Sequence, residues 1–170
     1  MKQYETPTIW FKRYIIASTI IFILFTILGG ILGDFIQIDY KIQPNINETG
    51  VIGSLMYFQH NFTMALFPIL GIFLFGITSI VHIIFNSLML GISVIISFNH
   101  GMSISEIFIR LSQGIFEIPA TIISGAIGLL GINFYFQKNK KKWLVFIGKW
   151  TLVVAFLLLL AGIMEANITK

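Results

Sequence analysis

The chain has 170 residues, of which 56% are hydrophobic and 11% are charged, and its mean hydropathy is +0.91. Soluble domains usually carry about 25% charged residues, so the composition argues against a soluble domain and indicates an integral membrane protein. The net charge is +4, but the basic clusters lie beside apolar runs, which positive-inside topology explains better than nucleic-acid binding. The sequence has no cysteine, which excludes disulfide frameworks and thiol chemistry.

The first predicted span covers residues 14–33. It follows a basic N-terminal cluster that ends with Lys12 and Arg13, and Asp34 comes directly after it. The apolar run is too long for the hydrophobic region of a signal peptide and no small-residue cleavage site follows it. It is therefore predicted to be an uncleaved anchor, with a polar connector over residues 34–61.

Residues 62–98 contain 37 positions without Lys, Arg, Asp or Glu. As one helix they would extend about 55 Å, beyond a hydrocarbon core of about 30 Å. Two spans, 62–79 and 82–98, joined by a turn near Thr78–His82, fit better. With two spans here, the Lys138–Lys142 cluster lies on the same side as the N-terminal basic cluster, as the positive-inside rule requires.

An outer connector over residues 99–113 follows, with a short helix whose Ser103 and Glu106 fit a capping box. The fourth and fifth spans are predicted at 114–136 and 143–166. No segment outside the spans is long enough to bury a core of its own.

The predicted fold is an all-α, polytopic transmembrane helix bundle of about five spans that forms a single domain over residues 1–170. The positive-inside rule places the N-terminus in the cytoplasm and, with five spans, the C-terminus outside. We expect a multi-pass protein of the cell (cytoplasmic) membrane.

Glu117 is the most informative residue, because it lies in the otherwise uncharged run of the fourth span. An acid costs about 3 kcal/mol at the bilayer centre and less near the interface, so a compensating partner is expected. Asn61 and Arg110 are the candidates. Small residues share the helix face of Glu117 and predict close helix packing. The packing glycines, counting one in the third span, are Gly91, Gly114, Gly125, Gly128 and Gly131.

The third span carries a polar stripe of His82, Asn86, Ser93, Ser97 and His100 at helical spacing. Such a stripe is typical of hydrogen bonds between helices, and it would also suit a polar path or a groove for a partner. A metal site needs several His or acidic ligands that converge, and nothing at local ligand spacing meets that. We expect neither a metal nor another cofactor.

These features together resemble the stage II sporulation protein M family over roughly residues 60–135. The stretch Asn86-Ser87-Leu88-Met89-Leu90-Gly91 is similar to the family's Asn-Gly and later Leu-Gly, with Ser in place of the first Gly. The stretch Gly114-Ile115-Phe116-Glu117-Ile118-Pro119-Ala120 is the most specific match, although Gln113-Gly114 stands where the family favours His-Gly.

The resemblance implies a small, non-enzymatic, multi-pass membrane protein. Short family members accompany circular bacteriocin genes, so the leading hypothesis is a membrane subunit of an export or immunity machine that acts in bacteriocin maturation, secretion or self-protection. The alternative is a scaffold of a sporulation-type septal peptidoglycan-remodelling complex. An intramembrane enzyme would need converging reactive groups, which Glu117 alone does not supply. Expected partners are the lipid bilayer, other membrane proteins such as an ABC-type ATPase subunit, and further copies of the chain, but no nucleic acid.

Overall fold

The computed structural model describes residues 6–35 and 49–168. This part of the chain is helical and contains no strand. Its elements are α1 (Pro7–Phe35), α2 (Gly50–Ile69), a 3-10 turn (Leu70–Ile72), α3 (Ile77–Asn99), α4 (Ile104–Arg110), α5 (Gly114–Leu129), α6 (Gly131–Phe134) and α7 (Lys140–Ile168). The predicted all-α polytopic bundle is confirmed.

Four helical segments of the described residues are long and apolar enough to cross a membrane, one fewer than predicted: Pro7–Phe35, Ile77–Asn99, Gly114–Phe134 and Lys140–Asn167. The helix α2 has 20 residues but is not among them, because the consecutive polar residues Gln59, His60 and Asn61 lie at its middle. It nevertheless packs against α7, α5 and α3.

The direction of the chain shows what α2 does in the bundle. Gly29 of α1 lies against Leu88 of α3, and Gly33 lies against Ile92, so α1 and α3 run parallel. The chain must therefore return along the bundle between them, and within the described residues α2 is the helix that makes this return.

The turn between the second and third helices lies earlier than predicted. It occupies Phe73–Gly76, whereas the sequence favoured Thr78–His82. Gly76 has a φ of 83° and donates its backbone N–H to the carbonyl of Gly71 at 2.7 Å. Only glycine adopts this backbone conformation at little cost. The other end of α2 also differs from the prediction, because the helix begins at Gly50, so residues 50–61 of the predicted connector are helical.

A seam of glycines joins α1 to α3. A Cβ added at Gly33 would come within 3.0 Å of the Ile92 backbone, and one added at Gly29 would come within 2.9 Å of the Leu88 backbone. Gly91 of α3 packs in return against the backbone of Thr26. Glycine lets these two helices touch along their backbones, which is how helices associate without a hydrophobic driving force in lipid. We call Gly29, Gly33 and Gly91 the glycine seam.

Helix α5 and its continuation α6 occupy the centre of the bundle, and α5 is buried continuously from Ser124 to Leu129. Gly128 lies against Pro68 and Ser79, and a Cβ at Gly131 would come within 2.5 Å of the carbonyl oxygen of Ile72. Gly125 lies against the side chain of Ile83. The helices around α5 are therefore held at backbone distance by its small residues.

Gly114 does not share this role. A Cβ added there would meet only the side chain of Ile118 in its own helix, at 3.7 Å. The tight part of the α5 face accordingly runs from Gly125 to Gly131, in the half that leads towards the lysine cluster.

Candidate functional site

The acid singled out by the sequence lies in the first turn of α5, where Glu117 is partly buried. The Asn61 side chain of α2 donates from Nδ2 to Oε1 of Glu117 at 2.8 Å. Of the two candidate partners, the structure thus brings Asn61 to the acid, while the side chain of Arg110 lies outside the part of the chain that the structure describes.

A second carboxyl group approaches Glu117 from α7. Glu165 is partly buried and interacts electrostatically with Glu117 and with the buried Tyr57 of α2. Gly162 makes the approach possible, because a Cβ there would lie 2.7 Å from the carbonyl oxygen of Ser54. Three helices therefore contribute to one set of polar groups. We call Tyr57, Asn61, Glu117 and Glu165 the polar cluster.

The polar cluster lies far from the basic end of the bundle, which carries Lys12, Arg13 and the lysines before α7. At that end the Asn133 amide donates to the hydroxyl of Tyr14. Glu117 lies about 24 Å from Asn133 along the helix, at 1.5 Å per residue. A hydrocarbon core is about 30 Å thick. The cluster therefore lies at the end of the bundle opposite the basic end, close to the edge of a core of that thickness.

The polar stripe of α3 is organised differently from the expectation of bonds between helices. Asn86 and His82 pair with each other on one helix, with Nδ2 and Nε2 2.7 Å apart. His82 was predicted to lie at the turn, but it lies within α3, is buried and stands beside the ring of Phe67. His100 bonds the carbonyl of Ile96 on its own helix at 2.8 Å. The stripe does not reach the polar cluster.

The sequence reasoning missed Glu165 and Tyr57. Glu165 carried the same signal as Glu117, because it is an acid within an otherwise apolar run, but it stands near the end of that run, where acids are common and cost little. Tyr57 fell in the segment taken for a polar connector. Neither could be placed beside Glu117 without knowing that α2 begins at Gly50 and packs on α7.

The chemistry of the cluster is that of exchangeable hydrogen bonds. It offers two carboxyl groups, one amide and one phenol, which can donate, accept and share protons. Within residues 6–35 and 49–168, no group of three or more His, Cys, Asp or Glu side chains could hold a metal ion.

Comparison with known proteins places the chain in a family. The family model described as stage II sporulation protein M matches residues 12–170. The chain belongs to the stage II sporulation protein M family. The match extends well beyond residues 60–135, on which the resemblance was first recognised, and takes in most of α1 and all of α7. Glu165 thus lies within the matched residues. Comparisons with curated proteins and with solved structures gave no significant match.

Proposed function

We propose that this member of the stage II sporulation protein M family is a non-enzymatic membrane subunit of an export or immunity machine. In this role it takes part in the maturation, secretion or self-protection of a circular bacteriocin and acts with an ATPase partner in the cell membrane. The polar cluster is the part of the subunit that acts, and the remaining helices hold it at its depth.

The observation that carries the proposal is that Glu117 of α5 and Glu165 of α7 are close enough to interact electrostatically. Helices in lipid associate through small residues alone, as the glycine seam does here, so packing does not require acids. Two partly buried acids that interact with each other add repulsion and desolvation to the cost of folding. Acids in that position are typical of substrate and proton paths, which supports a role in moving or sensing a peptide.

The basic end supports an ATPase partner. Lys141 and Lys142 at the start of α7 are exposed, and Lys140 lies 5.9 Å from the ring centroids of Phe134 and Tyr135. Under the positive-inside rule this end faces the cytoplasm, where an ATPase would work. An acidic surface of such a subunit would complement the exposed lysines.

The family description favours a second candidate, a membrane scaffold for septal peptidoglycan remodelling during sporulation. In that role the exposed helix faces would hold partner proteins and the polar cluster would only stabilise the bundle. The two functions therefore assign opposite importance to Glu117.

The substitution Glu117→Gln tests the proposal, because it removes the charge and keeps the shape and most of the hydrogen bonding of the side chain. We expect normal membrane levels together with loss of bacteriocin export or of resistance, measured in cells that depend on this gene. The matched control is Glu106→Gln in α4, because a Gln at that position still satisfies the capping box.

Three outcomes decide between the functions. Loss of activity at normal protein levels supports the export or immunity role, and loss of the protein from the membrane assigns Glu117 to the scaffold. A wild-type phenotype contradicts both. Reporter fusions at each end of the chain test the expected topology, in which the N-terminus is cytoplasmic and the C-terminus is outside.

A further inference from the structure

Two exposed lysines stand on apolar faces of the helices that begin at the basic end, Lys12 on α1 and Lys149 on α7. Residues three or four positions apart share one face of a helix, and each lysine has an exposed apolar residue on either side of it at that spacing. These neighbours are Ile9 and Ile16 on α1 and Val145 and Leu152 on α7. Both helices are long and apolar enough to cross a membrane, so such faces are suited to lipid. We call Lys12 and Lys149 the lysine pair.

The two lysines stand at the same level of the bundle. The ring of Phe11, the residue before Lys12, lies 4.5 Å from the ring of Trp150 between centroids. Trp150 in turn follows Lys149 directly. Along α7, Lys149 stands seven positions after Lys142, which is about 10 Å of helix. The lysine pair therefore lies deeper in the bundle than the lysines at the start of α7.

The tryptophans show which layer of a membrane this level corresponds to. All three tryptophans of the chain lie at this end of the bundle. Trp143 is buried, whereas Trp10 and Trp150 are partly exposed beside the lysine pair. Tryptophan is enriched at membrane–water interfaces, where its ring lies at the level of the headgroups. The lysine side chain is long enough to extend to the phosphates of that layer while its stem stays among apolar residues.

The charges of the bundle are separated between its two ends. Among residues 6–35 and 49–168, no acidic side chain stands at the basic end. The acids of the described residues belong to the opposite end, and they are Asp34, Glu106, Glu117 and Glu165. The charge of the lysine pair is thus left for an anion from outside the bundle.

We propose that the lysine pair binds the phosphates of anionic phospholipid headgroups, and thereby selects anionic over zwitterionic lipids around α1 and α7. Basic residues at the edge of a membrane span attract anionic lipids, whereas the ammonium of a zwitterionic headgroup offsets its own phosphate. This inference does not depend on the proposed function.

The depth of the lysine pair favours a lipid over a protein as the source of the anion. A soluble partner can reach Lys141 and Lys142, but the lysine pair stands among exposed apolar residues further into the bundle. A second membrane helix on these faces would need an acid at the same level to complement the lysines. Another copy of this chain supplies none there from the residues that the structure describes.

Quenching of tryptophan fluorescence tests the proposal, because Trp10 and Trp150 lie beside the lysine pair. The full chain is placed in vesicles of equal parts phosphatidylglycerol and phosphatidylcholine, with bromine on the acyl chains of one lipid at a time. A brominated chain quenches only a tryptophan close to it, so the ratio of the two quenching signals gives the preference between the lipids. We expect brominated phosphatidylglycerol to quench more strongly.

Substitution of the lysines measures their part in that preference. Lys12→Gln and Lys149→Gln should each lower it about five-fold, the effect of one basic residue near an anionic membrane surface. Lys12→Arg and Lys149→Arg keep the charge and should keep the preference. The matched control is Lys141→Gln with Lys142→Gln, which removes two charges outside the lysine pair and should change the preference little. Unfolding in SDS that matches the natural chain verifies that each variant is folded.

The other outcomes overturn the proposal. Equal quenching by the two lipids would show that no headgroup is selected, and a loss in the control as large as that from the lysine pair would show a diffuse field. Relief of quenching by inorganic phosphate, but not by chloride at the same ionic strength, would indicate a site for a free anion. An unchanged lipid preference in Lys12→Gln and Lys149→Gln, with loss of export or immunity, would assign the lysines to a protein partner.

Discussion

The glycine seam and the polar cluster join helices in opposite ways. In the glycine seam the backbones of α1 and α3 touch, and among the described residues the side-chain hydrogen bond between these helices lies at their ends, from Asn99 to Asp34 at 3.3 Å. In the polar cluster, α2, α5 and α7 meet through hydrogen-bonding and charged groups instead. Since helices of this chain can associate through close backbone packing at glycines, the acids of the polar cluster are not needed for helix association and require another explanation.

The largest effect is expected within the glycine seam. Gly29→Ala places a methyl group against the Leu88 carbonyl and should lower the free energy of unfolding by about 3 kcal/mol, since the backbones must separate. Unfolding by titration with SDS in mixed micelles measures this. The neighbouring Gly30→Ala is the control, because its Cβ would meet only the Ile95 side chain at 3.5 Å.

If Gly30→Ala were as damaging as Gly29→Ala, the loss would come from α1 itself rather than from its contact with α3. We expect Gly30→Ala to be neutral or to stabilise by up to about 1 kcal/mol, the difference in helix propensity between the two residues. If the two substitutions lowered the free energy of unfolding equally, the glycine seam would no longer show that helices of this bundle join by backbone contact alone. There would then be no basis for assigning a function to the acids of the polar cluster.

The second effect concerns the bond within the polar cluster. Asn61→Leu removes the amide that donates to Glu117 at 2.8 Å and should cost about 2 kcal/mol, because a partly buried acid loses a donor. The double variant Asn61→Leu with Glu117→Leu should recover part of that stability, since replacing both partners by apolar groups leaves no unsatisfied acid. The same titration measures all three variants.

The double variant separates structure from function. If it regains stability but remains inactive in export or immunity, the polar cluster acts beyond holding helices together. A double variant that is both stable and fully active would show that Asn61 and Glu117 form only an ordinary contact between helices and have no further role.

Helix number and type were largely predictable from the sequence, because runs without charge exceed the bilayer thickness or match it. The two basic clusters then set the number of spans, because the positive-inside rule places both clusters on the same side of the membrane. The start of α2 was not predictable in this way. Gln59, His60 and Asn61 lower its hydropathy and were read as part of a connector, whereas packing on α7 and α5 keeps them helical.

The candidate site was predictable only in part, for a related reason. The cost of an acid in lipid identified Glu117 and demanded a partner, and Asn61 was one of two residues within reach. The position of Glu165 depends on Gly162 and on the direction in which α7 crosses α2. Such tertiary geometry leaves no periodic pattern in the chain, so the second acid was visible only in the structure.

The smallest effect tests whether the basic end resembles the glycine seam or the polar cluster. Tyr14→Phe removes the acceptor of the Asn133 amide and keeps the aromatic ring that stacks on Trp10 at a centroid distance of 6.0 Å. We expect a loss of about 0.6 kcal/mol in the same SDS titration, the average for one hydrogen bond between membrane helices, and no loss of activity. The Tyr14–Asn133 bond joins two neutral groups, whereas the bond from Asn61 to Glu117 involves an acid. A loss for Tyr14→Phe as large as that for Asn61→Leu would show that the acid does not set the difference, and the polar cluster would then lose its distinction from ordinary polar contacts in this bundle.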